Sequence, residues 1–242
     1  MASEIDMRQL DRRPPPELIF GTTFSNGSGK DISNNALGNG TANNFSTYAR
    51  VIGGAEPYFE IDSNTPYNPS VYYNYTNAPT KFSGLAFTKI SVSYWIMTYA
   101  TPPYIPFSIG TIGSYTNFIL LPNTNARHPM FLRTADSGYQ APVNSLPTNN
   151  NWAHVAMTWD TSLALTTRCK VYLNGVSQSL TIRNNENIAT CTTRNLCVGS
   201  GRPVYTFNYY SLLGRMSKLL IFENKILTQT EVNEIYNQGR KV

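Results

Sequence analysis

One nine-residue stretch restricts the fold more than any other part of the chain. In Lys89-Ile90-Ser91-Val92-Ser93-Tyr94-Trp95-Ile96-Met97 the residues Ile90, Val92, Tyr94 and Ile96 recur at every second position. Ser91, Ser93, Trp95 and Met97 take the alternate places. Period two is the repeat of a strand, whose successive side chains point to opposite sheet faces; a helix would repeat every 3.6 residues. A second marker is Asn174-Gly175 between Val171-Tyr172-Leu173 and a strand at Val176–Ile182. Asn-Gly accepts the two positive φ angles of a type I′ turn, which joins antiparallel strands with the correct twist. The chain is therefore expected to be built from antiparallel strands.

Further strands are expected at Leu18–Phe24, around Tyr58, Phe59 and Ile61, and at Ile105–Ile112, Phe118–Leu121, Met130–Arg133, Trp152–Trp159, Cys169–Leu173 and Leu212–Phe222. The Gly/Asn-rich segment up to Asn44 and the Tyr/Pro/Asn segment from Thr65 to about Thr80 read as loops. Only the C-terminus has a helical pattern. Thr228 and Glu231 have the spacing of a capping box, Val232, Ile235 and Tyr236 form one stripe, and Gly239 stops the helix. Such a helix is expected to lie across one end of the structure.

Composition agrees. The chain has 242 residues, enough for one β-sandwich with its own core. Charged residues are only 14%, and about one residue in ten is Asn, a turn former. That excludes helical bundles, coiled coils and acidic disordered chains. The net charge is +5. Much of the excess lies between Thr161 and Arg202, as Arg168, Lys170, Arg183, Arg194 and Arg202 against Glu186. It is too dispersed for a nucleic-acid face, which clusters charge and interleaves it with aromatics. No apolar run is long enough to span a membrane. The first residues carry charges throughout, so no secretion signal is expected there, and the sequons at Asn26, Asn39, Asn44 and Asn74 read as a consequence of Asn, Thr and Ser richness. Cys169, Cys191 and Cys197 are odd in number and lack C-x-x-C spacing, which favours free thiols over a disulfide scaffold or zinc ribbon. A Cys191–Cys197 bridge stays open for an oxidising setting.

Residues 1–16 form a separate N-terminal arm, ahead of a single domain at 17–242. Glu4, Asp6 and Asp11 balance Arg8, Arg12 and Arg13, and Pro14-Pro15-Pro16 closes the segment. Three prolines impose an extended chain. Its backbone groups could pair with a neighbour's strand edge, and Arg8, Arg12 and Arg13 could clamp carboxylates.

Four stretches then carry a resemblance: Ile90–Ile96, Trp152-Ala153-His154-Val155-Ala156-Met157-Thr158-Trp159-Asp160, Lys170-Val171-Tyr172-Leu173-Asn174-Gly175, and Gly214–Phe222 with Leu227-Thr228 to Tyr236. In this order they resemble the concanavalin A-like, laminin G-like jelly rolls, over residues 17–240. The resemblance implies an all-β antiparallel sandwich with one short C-terminal helix. It does not fix a function, because the fold hosts lectins, adhesion modules, hydrolases and lyases.

Family 16 glycoside hydrolases of this fold carry E-x-D-x-x-E on one strand. Here Glu60-Ile61-Asp62 is followed by Ser63, Asn64 and Thr65, so the third carboxylate is missing. Glu56 lies in phase with Glu60 but in the wrong order. A retaining mechanism requires two carboxyl groups about 5–5.5 Å apart. His154 lies mid-strand and reads as a packed, hydrogen-bonded residue; His128 precedes Pro129 without a nearby acid. The chain is therefore expected not to be an enzyme. No cofactor is expected. Calcium is the one metal to weigh, and its candidates Asp62, Asp136 and Asp160 are dispersed and read as turn residues. Two aromatic clusters remain as contact candidates: Tyr67, Tyr72, Tyr73 and Tyr75, and Tyr205, Phe207, Tyr209 and Tyr210. Low charge, Asn/Thr/Tyr/Pro richness and the arm point to a structural or interaction protein, a minor capsid or virion surface component that contacts other subunits. The alternative is a glycan-binding, lectin-like module; a glycoside hydrolase or polysaccharide lyase comes third.

Overall fold

The computed structural model describes residues 14–22, 24, 31–34, 37, 40–43, 49–52, 55–61, 72–75, 78–82, 88–99, 106–110, 118–120, 130–134, 137–140, 151–183, 195–199 and 212–240. In chain order the strands are β1 Leu18–Thr22, β2 Thr41–Asn43, β3 Ala49–Ile52, β4 Tyr58–Ile61, β5 Tyr72–Tyr75, β6 Lys89–Thr98, β7 Phe107–Gly110, β8 Phe118–Leu120, β9 Met130–Thr134, β10 Ser137–Gln140, β11 Ala153–Asp160, β12 Cys169–Leu173, β13 Val176–Gln178, β14 Thr181–Arg183, β15 Asn195–Val198 and β16 Gly214–Glu223. The helices are α1 Ala78–Lys81 and α2 Gln229–Gln238.

An eight-stranded sheet has the order β13-β12-β11-β6-β16-β4-β3, and β1 also pairs with β16. A five-stranded sheet runs β2-β5-β15-β7-β8, and a three-stranded one β14-β10-β9. Every pairing among the described strands is antiparallel. The all-β sandwich expected from the sequence is present.

The alternation of β6 sets the inner face. Ile90, Val92, Tyr94 and Ile96 lie in the main core with Val155 and Met157 of β11, Val171 and Leu173 of β12, and Phe59 and Ile61 of β4. The five-stranded sheet supplies Tyr75, Phe107, Ile109, Leu196 and Val198 to the same core. Edge-to-face ring pairs tie the two layers, Tyr94 to Phe107 at 5.6 Å and Phe20 to Tyr75 at 4.8 Å.

β16 keeps its phase by a device. Met216 is in the core, but so are Leu219 and Ile221, an odd number of residues away. The register shifts between Ser217 and Leu220, where Lys218 has φ 50°. This bulge adds one residue to β16, so both halves send apolar side chains inward. The unbroken run Leu219-Leu220-Ile221-Phe222 follows, because Leu220 and Phe222 belong to a second apolar cluster on the other face.

That second cluster is covered by α2. Val232, Ile235 and Leu227 pack against Leu18, Ala156, Tyr172, Leu220 and Phe222. The helix thus lies on the outer face of the large sheet and not across one end of the sandwich: an apolar patch on a sheet face offers its stripe more to bury than loop ends do. Its start is the expected capping box, with Thr228 Oγ1 accepting from Glu231 N and Glu231 Oε2 accepting from Thr228 N at 2.8 Å. The Asn174-Gly175 turn is also as expected, with φ 48° and 80°. Its Gly175 carbonyl accepts from Gln229 Nε2 at 2.7 Å, so hairpin and helix are fastened together.

Several elements depart from the sequence expectation. The segments expected as loops contain β2, β5 and the four-residue α1, and β3, β10 and β15 were not anticipated. Val176–Ile182 is two strands, β13 and β14, which join different sheets. These are strands of three or four residues, too short to show a period. Residues 1–13 lie outside the described residues, including Arg8, Arg12 and Arg13. The proline segment is already attached to the domain: Pro14 O accepts from Asn34 Nδ2 at 3.1 Å and Pro15 O from Leu18 N at 3.0 Å.

Candidate functional site

Inward residues alternate with outward ones, so the outer face of the large sheet follows from the core. Opposite Phe59 and Ile61 stand Tyr58 and Glu60 of β4; opposite Met216 stands Arg215 of β16; one place ahead of inward Ala153 stands Trp152. Beyond the covered half of this face, at the C-terminal end of α2, these residues meet.

Arg215 Nε donates to Glu60 Oε1 at 2.8 Å, and Tyr99 Oη donates to the same carboxylate oxygen. The Arg215 guanidinium lies 4.9 Å from the Tyr58 ring centre and 5.7 Å from that of Tyr99. Tyr58 meets Trp152 edge to face at 6.0 Å. Arg240, just past α2, lies 4.2 Å over Trp152 and pairs with Glu56. The result is one row, Tyr99, Arg215, Tyr58, Trp152 and Arg240, in which rings and guanidinium groups stack at cation–π distances. Gly214 positions Arg215: a Cβ there would sit 2.0 Å from Met97 O, so only glycine lets β16 approach β6 this closely.

Burial and neighbouring charges set the protonation states in this row. Burial raises the Tyr99 phenol, and the adjacent Glu60 carboxylate raises it further, so the hydroxyl stays a donor. Burial is the largest single influence on Arg215 and works against its charge, but the Glu60 bond and the charges of Glu60, Tyr99 and Tyr58 together raise its pKa. Glu60 is itself buried, because Arg215 and Tyr99 cover it. Glu56 is exposed and bonded to Arg240, turned to the rim of the row.

His154 has the structural place expected of it. It is fully buried, its Nε2 lies 2.9 Å from Ser93 Oγ, and its ring packs between Trp95 at 5.3 Å and Tyr236 at 5.9 Å. Burial, with the Lys218 ammonium nearby, pushes its pKa down to about 3. It is neutral at any ordinary pH.

Of the aromatic contact candidates, Tyr75 is corrected: it is buried at 1% exposure against Phe20, because β5 turns this position inward. Tyr72 and Tyr73 lie on β5, paired with Asn43 and Ala42 of β2. Tyr67, Tyr205, Phe207, Tyr209 and Tyr210 lie outside the described residues, as do Asp62, Asp136, His128 and Cys191. Asp160 is a turn residue, accepting from Ser162 N at 2.9 Å and pairing with Lys89 at 3.5 Å. Among the described residues no three His, Cys, Asp or Glu side chains gather as a metal site. Cys169 and Cys197 are both buried, and burial raises the Cys169 thiol. No helix among the described residues is long and apolar enough to cross a membrane. Tyr58, Tyr99, Trp152, Arg215 and Arg240 were not anticipated. The phase of Tyr58 and Trp152 opposite inward neighbours was the available signal.

A helix-backed antiparallel sandwich with an aromatic–ionic row on one face defines the class. The family model described as the concanavalin A-like lectin/glucanases superfamily matches residues 69–233, and the chain belongs to that family. No curated protein sequence matches the chain. Among solved structures, domain 4 of an extracellular arabinanase from Geobacillus stearothermophilus, in complex with arabinotriose, is similar at TM-score 0.56 and 18% identity, covering 91% of this chain and 98% of that one. Trypanosoma rangeli sialidase with the inhibitor DANA is similar at TM-score 0.58 and 12% identity over 93% of this chain, which spans 34% of the sialidase. The binding domain of Paraclostridial Mosquitocidal Protein 1 gives TM-score 0.55 and 13% identity over 92% of this chain and 52% of that one. At these identities the likeness is one of fold.

Proposed function

We propose that this chain is a non-catalytic recognition module that binds carbohydrate. The observation that carries the reading is the state of Glu60. It is the only described carboxylate of the strand that the glycoside-hydrolase pattern would use, and it is locked to Arg215 and Tyr99. A carboxylate held by a guanidinium and a phenol positions neighbours; it does not deliver a proton to a leaving group. Membership of a lectin/glucanase superfamily supports the carbohydrate part, as does the fold shared with an arabinanase domain solved with arabinotriose. The test is a panel of plant, bacterial and animal glycans offered to the purified chain, scored for both retention and hydrolysis. Retention without product is expected. Turnover that disappears in Glu60→Gln would overturn the non-catalytic reading.

A second reading, contact with other protein subunits, is favoured by the edge strand β13, where Val176 is 64% exposed. A virus particle is the setting that composition and the N-terminal arm proposed for it. Sedimentation of the full chain and of a chain lacking residues 1–16 tests it: an assembly that shrinks on truncation supports it, and a monomer in both cases overturns it.

A further inference from the structure

The row on the outer face has groups that its own contacts do not use. Arg215 spends Nε on Glu60 and also bonds to the Tyr99 hydroxyl, which leaves part of its planar fork of donors for a further acceptor. The Trp152 indole N–H and the Tyr58 hydroxyl form no hydrogen bond among the described residues; their contacts are between rings and guanidinium groups. Both rings are half-buried, and the Arg215 side chain keeps 29% exposure. Donors and ring surface therefore share one partly open strip.

Charge decides what such a strip can take. Arg215 is matched by Glu60 and Arg240 by Glu56, so the row is neutral as a whole. A sulfated or sialylated chain, or a nucleic acid, would meet no net attraction and would have to displace a carboxylate. A sugar ring without charge meets what it requires: C–H faces for the aromatic rings and hydroxyl oxygens for fixed donors. The donors are also set in advance. Arg215 lies between two rings and is tied to Glu60, so binding freezes little that is not already frozen. We infer that the row of Tyr58, Tyr99, Trp152, Arg215 and Arg240 is a binding site for uncharged glycans, with Trp152 the stacking surface and Arg215 the donor. This assignment rests on the carbohydrate reading above.

The experiment uses the full chain and a probe set of neutral pentose and hexose oligosaccharides, with sulfated and sialylated ones beside them, titrated at low and high salt. Wild type is expected to bind one or more neutral probes with little salt dependence. Trp152→Ala and Arg215→Met should each weaken that binding at least about tenfold, the range of a central contact residue. Arg215→Lys should not restore it, because an ammonium lacks the planar fork. Arg215→Met leaves Glu60 buried without its counter-charge and could unfold. Tyr58→Phe, which removes one hydroxyl and keeps the ring, gives an independent reading and should weaken binding about threefold to tenfold at an unchanged melting temperature. Neutral-glycan binding that survives unchanged in Trp152→Ala and Tyr58→Phe would overturn the site and leave the carbohydrate reading standing. Lowered melting temperatures with unaltered binding would show that the row only fastens the end of α2, and would overturn it equally. Tight, salt-sensitive binding of sulfated or sialylated probes alone would overturn the neutral class. No binding of any glycan by wild type would remove the carbohydrate reading and this site with it.

Discussion

The two faces of the eight-stranded sheet are both buried over much of their area, yet they are built on different chemistry. The inner face is apolar throughout: Ile90, Val92, Tyr94, Val155, Met157 and Val171 meet a second sheet. The outer face is buried by α2 while carrying Ser91, Ser93, His154, Ser217 and Lys218. Its serine hydroxyls are bonded locally: Ser91 Oγ donates to Lys225 O at 2.7 Å and accepts from Leu227 N at 2.9 Å, and Ser217 Oγ donates to Pro57 O at 2.6 Å. Lys218 Nζ lies 3.4 Å from Gly239 O, where the carbonyl end of a helix favours a cation. Burial and apolarity are thus separable properties. A sheet facing another sheet needs shape alone, whereas a sheet facing one short helix and its loops must also satisfy their free backbone groups.

The sharpest break of this comparison is truncation of one ring on each face. Phe107→Ala, between the sheets, should cost about 3–5 kcal/mol in chemical denaturation. Trp95→Ala, stacked on Tyr236 at 5.7 Å beneath α2, should cost about 3 kcal/mol, since a helix can settle onto a smaller neighbour. A loss under about 1 kcal/mol at Trp95 would mean that the outer face is a cover and not packed interior.

Acid should separate the faces next. His154 is held neutral with its folded pKa at about 3, well below the ordinary 6.5. The unfolded chain therefore takes up a proton that the folded chain refuses. Stability is expected to be complete above about pH 6.5 and to fall as pH drops toward 3, by up to about 1.4 kcal/mol per pH unit. Melting curves across that range should flatten in His154→Gln. An equally steep wild-type and variant profile would place the acid sensitivity elsewhere.

The smallest effect is expected on the inner face. The Tyr94 hydroxyl is buried without a hydrogen-bond partner among the described residues. Tyr94→Phe should change stability by less than about 1 kcal/mol, and in the favourable direction, because an unsatisfied hydroxyl is removed. A large loss would reveal a partner for that oxygen.

The inner face was legible in the sequence because one rule writes it: alternate residues are apolar, as in β6 and β11. The hairpin turn and the capping box were legible for the same reason, each depending on two or three neighbouring residues. The outer face was only half legible. His154 could be placed by its phase, but nothing local to Glu60 announces that Arg215, 155 residues away, will neutralise it. The loop segments failed differently. Tyr72–Tyr75 read as exposed recognition surface from composition, while pairing with β2 and β15 makes it a strand with Tyr75 in the core. The virion expectation likewise rests on composition, and the fold adds nothing to it.

The bulge at Lys218 gives β16 something like a reading frame. Upstream of it the even-numbered residue Met216 is inward; downstream the odd-numbered Leu219 and Ile221 are. Loss of that one residue would do more than shorten a strand. It would exchange the assignments of everything after it, turning Ile221 toward α2 and Phe222 toward the core, in a part of the molecule where neither side has water to accept a misplaced group. The chain length between Met216 and Leu219 is therefore specified as tightly as any side chain, and single-residue deletions scanned along this strand should be more harmful here than most substitutions.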